Sequence, residues 1–106
     1  MKKGQKIEIK KLRPVDNPQS PTPEAKDYNY GKLNSVVSLP VDYTAIGTLT
    51  ADIETSKSIE MNRDSRNGVC IPGFFQTSPV MLIEHNDGEP YITVHTANSI
   101  YQILEL

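Results

Sequence analysis

Few side chains in this 106-residue chain have the chemistry of a catalytic group. There is one cysteine, Cys70, and there are two histidines, His85 and His95. A nucleophilic site would combine the thiol with one imidazole and an acid such as Glu84. Cys70, however, lies between two apolar residues, where a small buried thiol is ordinary, and His95 lies in a predicted strand, where a partly buried imidazole is common. We therefore predict that the protein is not an enzyme and has no catalytic residues.

A metal site would have to use His85, Asp87 and His95, which flank one predicted hairpin. Counting outward from the turn places the two histidines opposite each other, where they could hold a divalent ion with the carboxylate. A simple polar pair on a sheet face explains the same spacing. The six glycines also lack the Gly-x-Gly spacing of a phosphate-binding loop. We predict no metal and no cofactor.

The best candidate for ligand binding is the polar segment Asn62–Gly68. Its Arg63 and Arg66 are two of only three cations in residues 33–106. Guanidinium groups are good ligands for phosphate and carboxylate. The alternative is a solvated hairpin tip whose arginines pair with neighbouring acids.

A second polar set, low in charge, lies further along the chain. In a barrel, the loops at 77–78 and 96–99 would approach each other and line a shallow pocket with a tyrosine as one wall. The alternative is that these residues only form turns. The predicted ligand-binding or partner-binding residues from both sets are Arg63, Arg66, Asn67, Thr77, Ser78, Asn98 and Tyr101.

The elements that would position these residues are strands. Apolar or small residues occupy every odd position from Val41 to Ile53, with Gly47 near the centre, where a strand can bend around the corner of a barrel. Ile59 and Met61 continue the alternation in a hairpin partner, and the last 27 residues read as a three-stranded meander. We predict an all-β fold, a small antiparallel barrel of five to six strands, Src-homology-3-like or Sm-like, with a two-sheet sandwich as the alternative.

Net charge and proline content differ between the first 32 residues and the rest of the chain. Residues 1–32 carry eight Lys or Arg against four acids, and residues 33–106 carry three against nine, so net charges of +4 and −6 sum to −2. Four of the eight prolines lie between 14 and 23. We predict a basic, Pro-rich N-terminal arm over 1–32, with a short edge strand at 5–12 and an extended linker over 13–32, and a barrel domain over 33–106. The arm either folds back on the acidic body or meets nucleic acid or an acidic partner.

No apolar run is long enough to span a bilayer, and the N-terminus lacks the apolar region of a secretory signal. We therefore predict a cytoplasmic protein that does not associate with membranes. The lone cysteine is compatible with a reducing compartment.

One stretch resembles small, mostly uncharacterised β-proteins of bacteriophages and mobile elements. The resemblance covers about residues 47–104 and is carried by Ser58–Met61, Arg63, Arg66–Gly68, Phe75–Val80 and Thr96–Tyr101. It implies a small phage-like β-barrel that meets host machinery or belongs to a virion, and it transfers no catalytic residue.

Together these patterns favour a non-enzymatic binding module that engages a host or phage protein through strand edges, the 62–68 loop and the basic arm. One alternative is a structural homo-oligomer of the virion type. The other is a nucleotide or nucleic-acid binder that contacts phosphate and base through Arg63, Arg66, Thr77, Ser78 and Asn98.

Overall fold

The computed structural model describes residues 1–14, 25–30, 36–37 and 39–106. Every regular element in these ranges is a strand, and no helix that could cross a membrane is found among them. The strands are β1 (Lys6–Pro14), β2 (Ala25–Asn29), β3 (Val36–Val37), β4 (Thr44–Leu49), β5 (Ser58–Arg66), β6 (Gly73–His85), β7 (Tyr91–Thr96) and β8 (Ser99–Glu105).

Six of these strands form a closed antiparallel ring in the order β6-β5-β4-β1-β8-β7, and β7 pairs back with β6. β2 lies outside the ring and pairs with β6, and the two-residue β3 pairs with β2. The predicted small all-β barrel is therefore confirmed. The sandwich alternative is wrong, because one sheet closes on itself and protects its edges by doing so.

Strand β1 differs from the predicted edge strand at 5–12. It extends to Pro14 and is one of the six strands of the ring, with β4 on one side and β8 on the other. The reason is its alternation, which makes Ile7 and Ile9 fully buried core residues. The predicted domain boundary at 32/33 lies outside the described residues, as do 15–24 and 31–32 of the predicted linker, whereas 25–29 of that linker form β2.

The alternating run from Val41 to Ile53 forms a shorter strand than its pattern suggests, because β4 ends at Leu49. Its pairing with β5 shifts register between Ile46 and Gly47, so the predicted irregularity at this glycine is confirmed as a β-bulge. A Cβ at position 47 would come within 2.3 Å of the Asn62 carbonyl oxygen. Only glycine permits this close approach of β4 and β5.

Aliphatic side chains from all six ring strands fill the barrel. Near one end, the Tyr43 ring stacks on Phe75 with centroids 5.7 Å apart. The neighbouring Phe74 points to the other face of β6, as alternation in a strand requires, and contacts Tyr28 of β2 at 5.4 Å between centroids. This ring contact attaches β2 to the face of β6 that points away from the core.

Candidate functional site

Strand β5 carries Arg63 into the barrel interior. Ile59, Met61 and Arg63 are buried at successive odd positions, so the arginine continues the apolar alternation. Arg63 pairs with Gly73 of β6, and Gly73 pairs with Asn29 of β2, which forms a row across three strands. Because glycine has no side chain, the guanidinium passes over Gly73 and donates to the Asn29 side-chain oxygen.

Asp27 of β2 is the centre of this polar cluster. Its Oδ1 accepts a hydrogen bond from Arg63, and its Oδ2 accepts from Arg66 Nη1 at 3.1 Å and from the Tyr43 hydroxyl at 2.9 Å. Arg63 Nε donates to the Ile71 carbonyl oxygen at 3.1 Å. The carboxylate is buried with three donors around it, which offsets the cost of removing its charge from water.

Burial changes the acid–base behaviour of two members of the cluster. Desolvation lowers the pKa of the Arg63 guanidinium, and the charge of Arg66 lowers it further. Desolvation raises the pKa of Tyr43 above its usual value, although Arg66 opposes this shift. Tyr43 therefore stays a neutral hydrogen-bond donor to Asp27 over the ordinary pH range.

The segment predicted as an exposed loop over 62–68 is mostly strand, and that expectation is wrong. β5 continues to Arg66 because its residues keep pairing with β4, and only Asn67 and Gly68 form the turn. Both turn residues have positive φ. Asn67 is exposed, and its side-chain oxygen accepts from the Thr44 backbone N–H at 3.0 Å.

Thr77, Ser78 and Asn98 are buried together where β6 meets the β7–β8 turn. The predicted proximity of 77–78 to 96–99 is confirmed, since Asn98 Nδ2 donates to Ser78 Oγ at 2.7 Å, but 77–78 lies within β6 and not in a loop as expected. Thr77 Oγ1 accepts from the Ile59 N–H at 3.1 Å, where the β5–β6 register shifts and leaves that amide without its ladder partner. Asn98 lies in the β7–β8 turn, in agreement with the turn interpretation, whereas Thr77 and Ser78 lie in β6 and satisfy hydrogen bonds within the chain.

The predicted ligand-binding residues therefore lie in separate places. Arg63 and Arg66 surround Asp27, whereas Ser78 binds Asn98, and among the described residues no hydrogen bond or ion pair joins the two groups. Tyr101 is fully buried in the core. Their role in binding a ligand stays a prediction.

The catalytic and metal candidates are also dispersed. Cys70 is exposed, contrary to the expected burial. His85 pairs with Ile92, and His95 pairs with Leu82, so the histidines are three rungs apart rather than opposite. The expected register is wrong because the turn of the hairpin is centred near Gly88. Opposite histidines would require a turn centred midway between positions 85 and 95. His95 instead contacts Glu84, and the described part of the chain holds no group of three potential metal ligands.

The second half of β6 presents an uncovered strand edge. Gly73–Thr77 has β5 on one side and β2 on the other. Beyond Val80, the strand pairs with β7 on one side, and within the described ranges no strand pairs with its other side. We call residues Met81–His85 the β6 edge. Met81 and Leu82 are 60% and 49% exposed. The edge therefore combines backbone N–H and C=O groups that are available for pairing with exposed apolar side chains.

The surroundings of the β6 edge are poor in positive charge. No Lys or Arg follows Arg66 in the sequence, whereas Glu84, Asp87 and Glu89 lie on the strand or in the turn that follows it. Lys57, on the segment that reaches Val80, is paired with Glu54 at 2.8 Å. An extended segment with apolar and basic side chains would therefore match this edge.

Comparisons with protein-family models, curated proteins and solved structures give no match to this chain.

Proposed function

We propose that the protein is a non-enzymatic binding module that adds an extended segment of a partner protein to its β6 edge. The observation that carries the proposal is the edge of Met81–His85 that no described strand pairs with, together with the two large apolar side chains exposed there. Natural proteins protect such edges, because unpaired N–H and C=O groups recruit other strands. An edge left open in a barrel is a good site for strand addition.

Strand β2 supports this proposal from within the chain. It is an extra strand that pairs with the first half of β6, outside the ring. β6 thus already accepts a strand that the barrel does not need for closure. Its second half offers the same backbone groups on the opposite side, without an occupant among the described residues.

The partner segment is apolar at alternate positions and carries Lys or Arg. Alternation follows from strand geometry, and the positive charge follows from the acids around the edge. A cytoplasmic setting and a host or phage partner are parts of the same proposal, and they rest on the sequence patterns described above. We do not favour nucleotide binding, because Arg63, Ser78 and Asn98 already bind groups of the chain itself.

The test is a selection of decapeptides from a random display library, using the full chain as bait. We expect enriched peptides with alternating apolar residues and at least one cation. Their binding should slow hydrogen exchange of the backbone amides in the β6 edge. The double variant Met81→Lys/Leu82→Lys should abolish binding, because it places like charges against the basic peptide and removes the apolar contact.

The matched control is Val41→Lys/Val69→Lys, which changes two apolar residues that are each 54% exposed elsewhere on the surface. It should bind the enriched peptides as the unaltered chain does. Equal binding by the edge variant, protection that falls outside Met81–His85, or a failure to enrich any peptide would overturn the proposal. A sedimentation mass of two chains that reverts to one chain in the edge variant would show that the occupant is a second copy instead.

A further inference from the structure

A small pocket lies on the outer surface of the barrel, where β1, β8 and β7 run side by side. Glu8 pairs with Leu104, and Leu104 pairs with Tyr91, so these three side chains form a row across the strands. The pocket has a volume of about 190 Å³ and is lined by Glu8, Glu89, Pro90, Tyr91, Gln102 and Leu104.

The lining combines negative charge with an apolar floor and an aromatic wall. Leu104 and Pro90 supply aliphatic surface, and Tyr91 supplies a half-buried ring. Within the described part of the chain, the carboxylates of Glu8 and Glu89 form no hydrogen bond or ion pair. The lysines on either side of Glu8 in β1 are bound elsewhere: Lys6 to Asp64 at 3.7 Å and Lys10 to Asp42 at 3.8 Å.

The size of the pocket limits its occupant. Sites for cofactors and drug-sized ligands usually measure roughly 300 to 1,000 Å³, so a pocket of about 190 Å³ suits a single side chain. The neighbouring strands cannot fill it with a cation of their own, because β7 and β8 contain no Lys or Arg. Carboxylates around an aliphatic and aromatic surface match an ammonium or guanidinium on an alkyl stem.

We propose that this pocket binds the lysine or arginine side chain of a partner polypeptide. The alkyl stem lies on Leu104 and Pro90, and the charged head lies between Glu8 and Glu89, beside the ring of Tyr91. The proposal does not depend on strand addition, because the pocket belongs to the β1–β8–β7 surface and the β6 edge belongs to another strand.

An NMR titration of the full chain tests this site with small probes of known charge. The pentapeptides Gly-Gly-Lys-Gly-Gly and Gly-Gly-Arg-Gly-Gly should shift the backbone amide signals of Tyr91, Gln102 and Leu104, with saturation in the millimolar range. The same peptide with norleucine should leave them in place. Equal shifts with norleucine, or no shift with either cation, would overturn the proposal. Equal affinity for free cadaverine would assign the site to a small amine and overturn the polypeptide partner.

Variants separate the pocket from general surface charge. Glu8→Gln and Glu89→Gln should each weaken binding of the lysine peptide by about two- to fivefold, as expected for partly exposed ion pairs. Glu105→Gln, which removes a glutamate of β8 outside the pocket, should leave the affinity unchanged. An unchanged affinity in the Glu8→Gln/Glu89→Gln double variant, with normal spectra elsewhere, would contradict the assignment.

Discussion

Arg63 of β5 donates a hydrogen bond to Asp27 of β2, and this ion pair fastens a strand outside the ring to the core face of the barrel. The two side chains are 0% and 3% exposed. Taking two charges out of water costs several kcal/mol, and their attraction together with the further hydrogen bonds to Asp27 offsets that cost. The contribution of the pair is measured by the stability that is lost when one partner is removed.

Replacing Asp27 by Ala should lower the free energy of unfolding by about 3–5 kcal/mol, because it leaves Arg63 buried without its counter-charge. Urea denaturation measures the loss, and hydrogen exchange should show faster opening of β2. Lys26→Ala changes the exposed neighbour on the same strand and serves as the control. Equal losses for the two variants would contradict a special role for the carboxylate.

Removing both charges should cost much less than removing one. In the double variant Asp27→Leu/Arg63→Met, apolar side chains replace the pair, and buried ion pairs can often be exchanged in this way with little loss. A double-mutant cycle over urea denaturation should give a coupling energy of about 2 kcal/mol or more. Strictly additive effects would mean that the two side chains contribute independently.

Gly73→Ala should destabilise the attachment of β2. The added Cβ would lie 2.1 Å from the Tyr28 carbonyl oxygen and 2.6 Å from Arg63 Nη2, so backbone and guanidinium would both have to move. We expect a loss of about 3 kcal/mol or more and faster exchange in β2. Gly88→Ala is the matched control: it has open space around it and a φ of +77°, so it should cost only about 1 kcal/mol. Similar losses in both would argue against the close contact.

Stability should fall as pH rises above about 10, the ordinary pKa of tyrosine. Burial raises the pKa of Tyr43, so the folded chain keeps a proton that the unfolded chain releases, and alkali favours unfolding. Tyr43→Phe should flatten this dependence, whereas Tyr30→Phe, at an exposed tyrosine, should not. Urea denaturation between pH 8 and pH 11 compares the three chains. An unchanged slope in Tyr43→Phe would contradict the assignment.

Strict alternation made much of the barrel predictable. Ile59 and Met61 face the core as their spacing requires, and the bulge lies at Gly47. The alternation of apolar residues is hard to recognise beyond Met61, because the next inward-facing residue is Arg63. An arginine among polar neighbours indicates an exposed loop. Continuing the odd positions from Met61 to Arg63 would have detected the strand.

The partner of that arginine could not be predicted from its neighbourhood. Asp27 is 36 residues away in the chain, in a segment whose prolines and polar residues suggested a linker. Nothing local distinguishes its carboxylate from an exposed acid such as Asp64. Pairing between distant strands depends on the closure of the whole ring, which sequence periodicity does not encode.

Because β1 pairs with β8, the two most distant strands of the chain must meet before the ring closes. During synthesis on the ribosome, Ile7 and Ile9 cannot complete their packing until β8, Ser99–Glu105, has emerged and paired with β1. Folding should therefore be late and slow for a chain of this length, as is usual when non-local pairing dominates. In that interval the apolar side chains of β1 lack their complete packing partners, and exposed apolar surface of this kind favours aggregation.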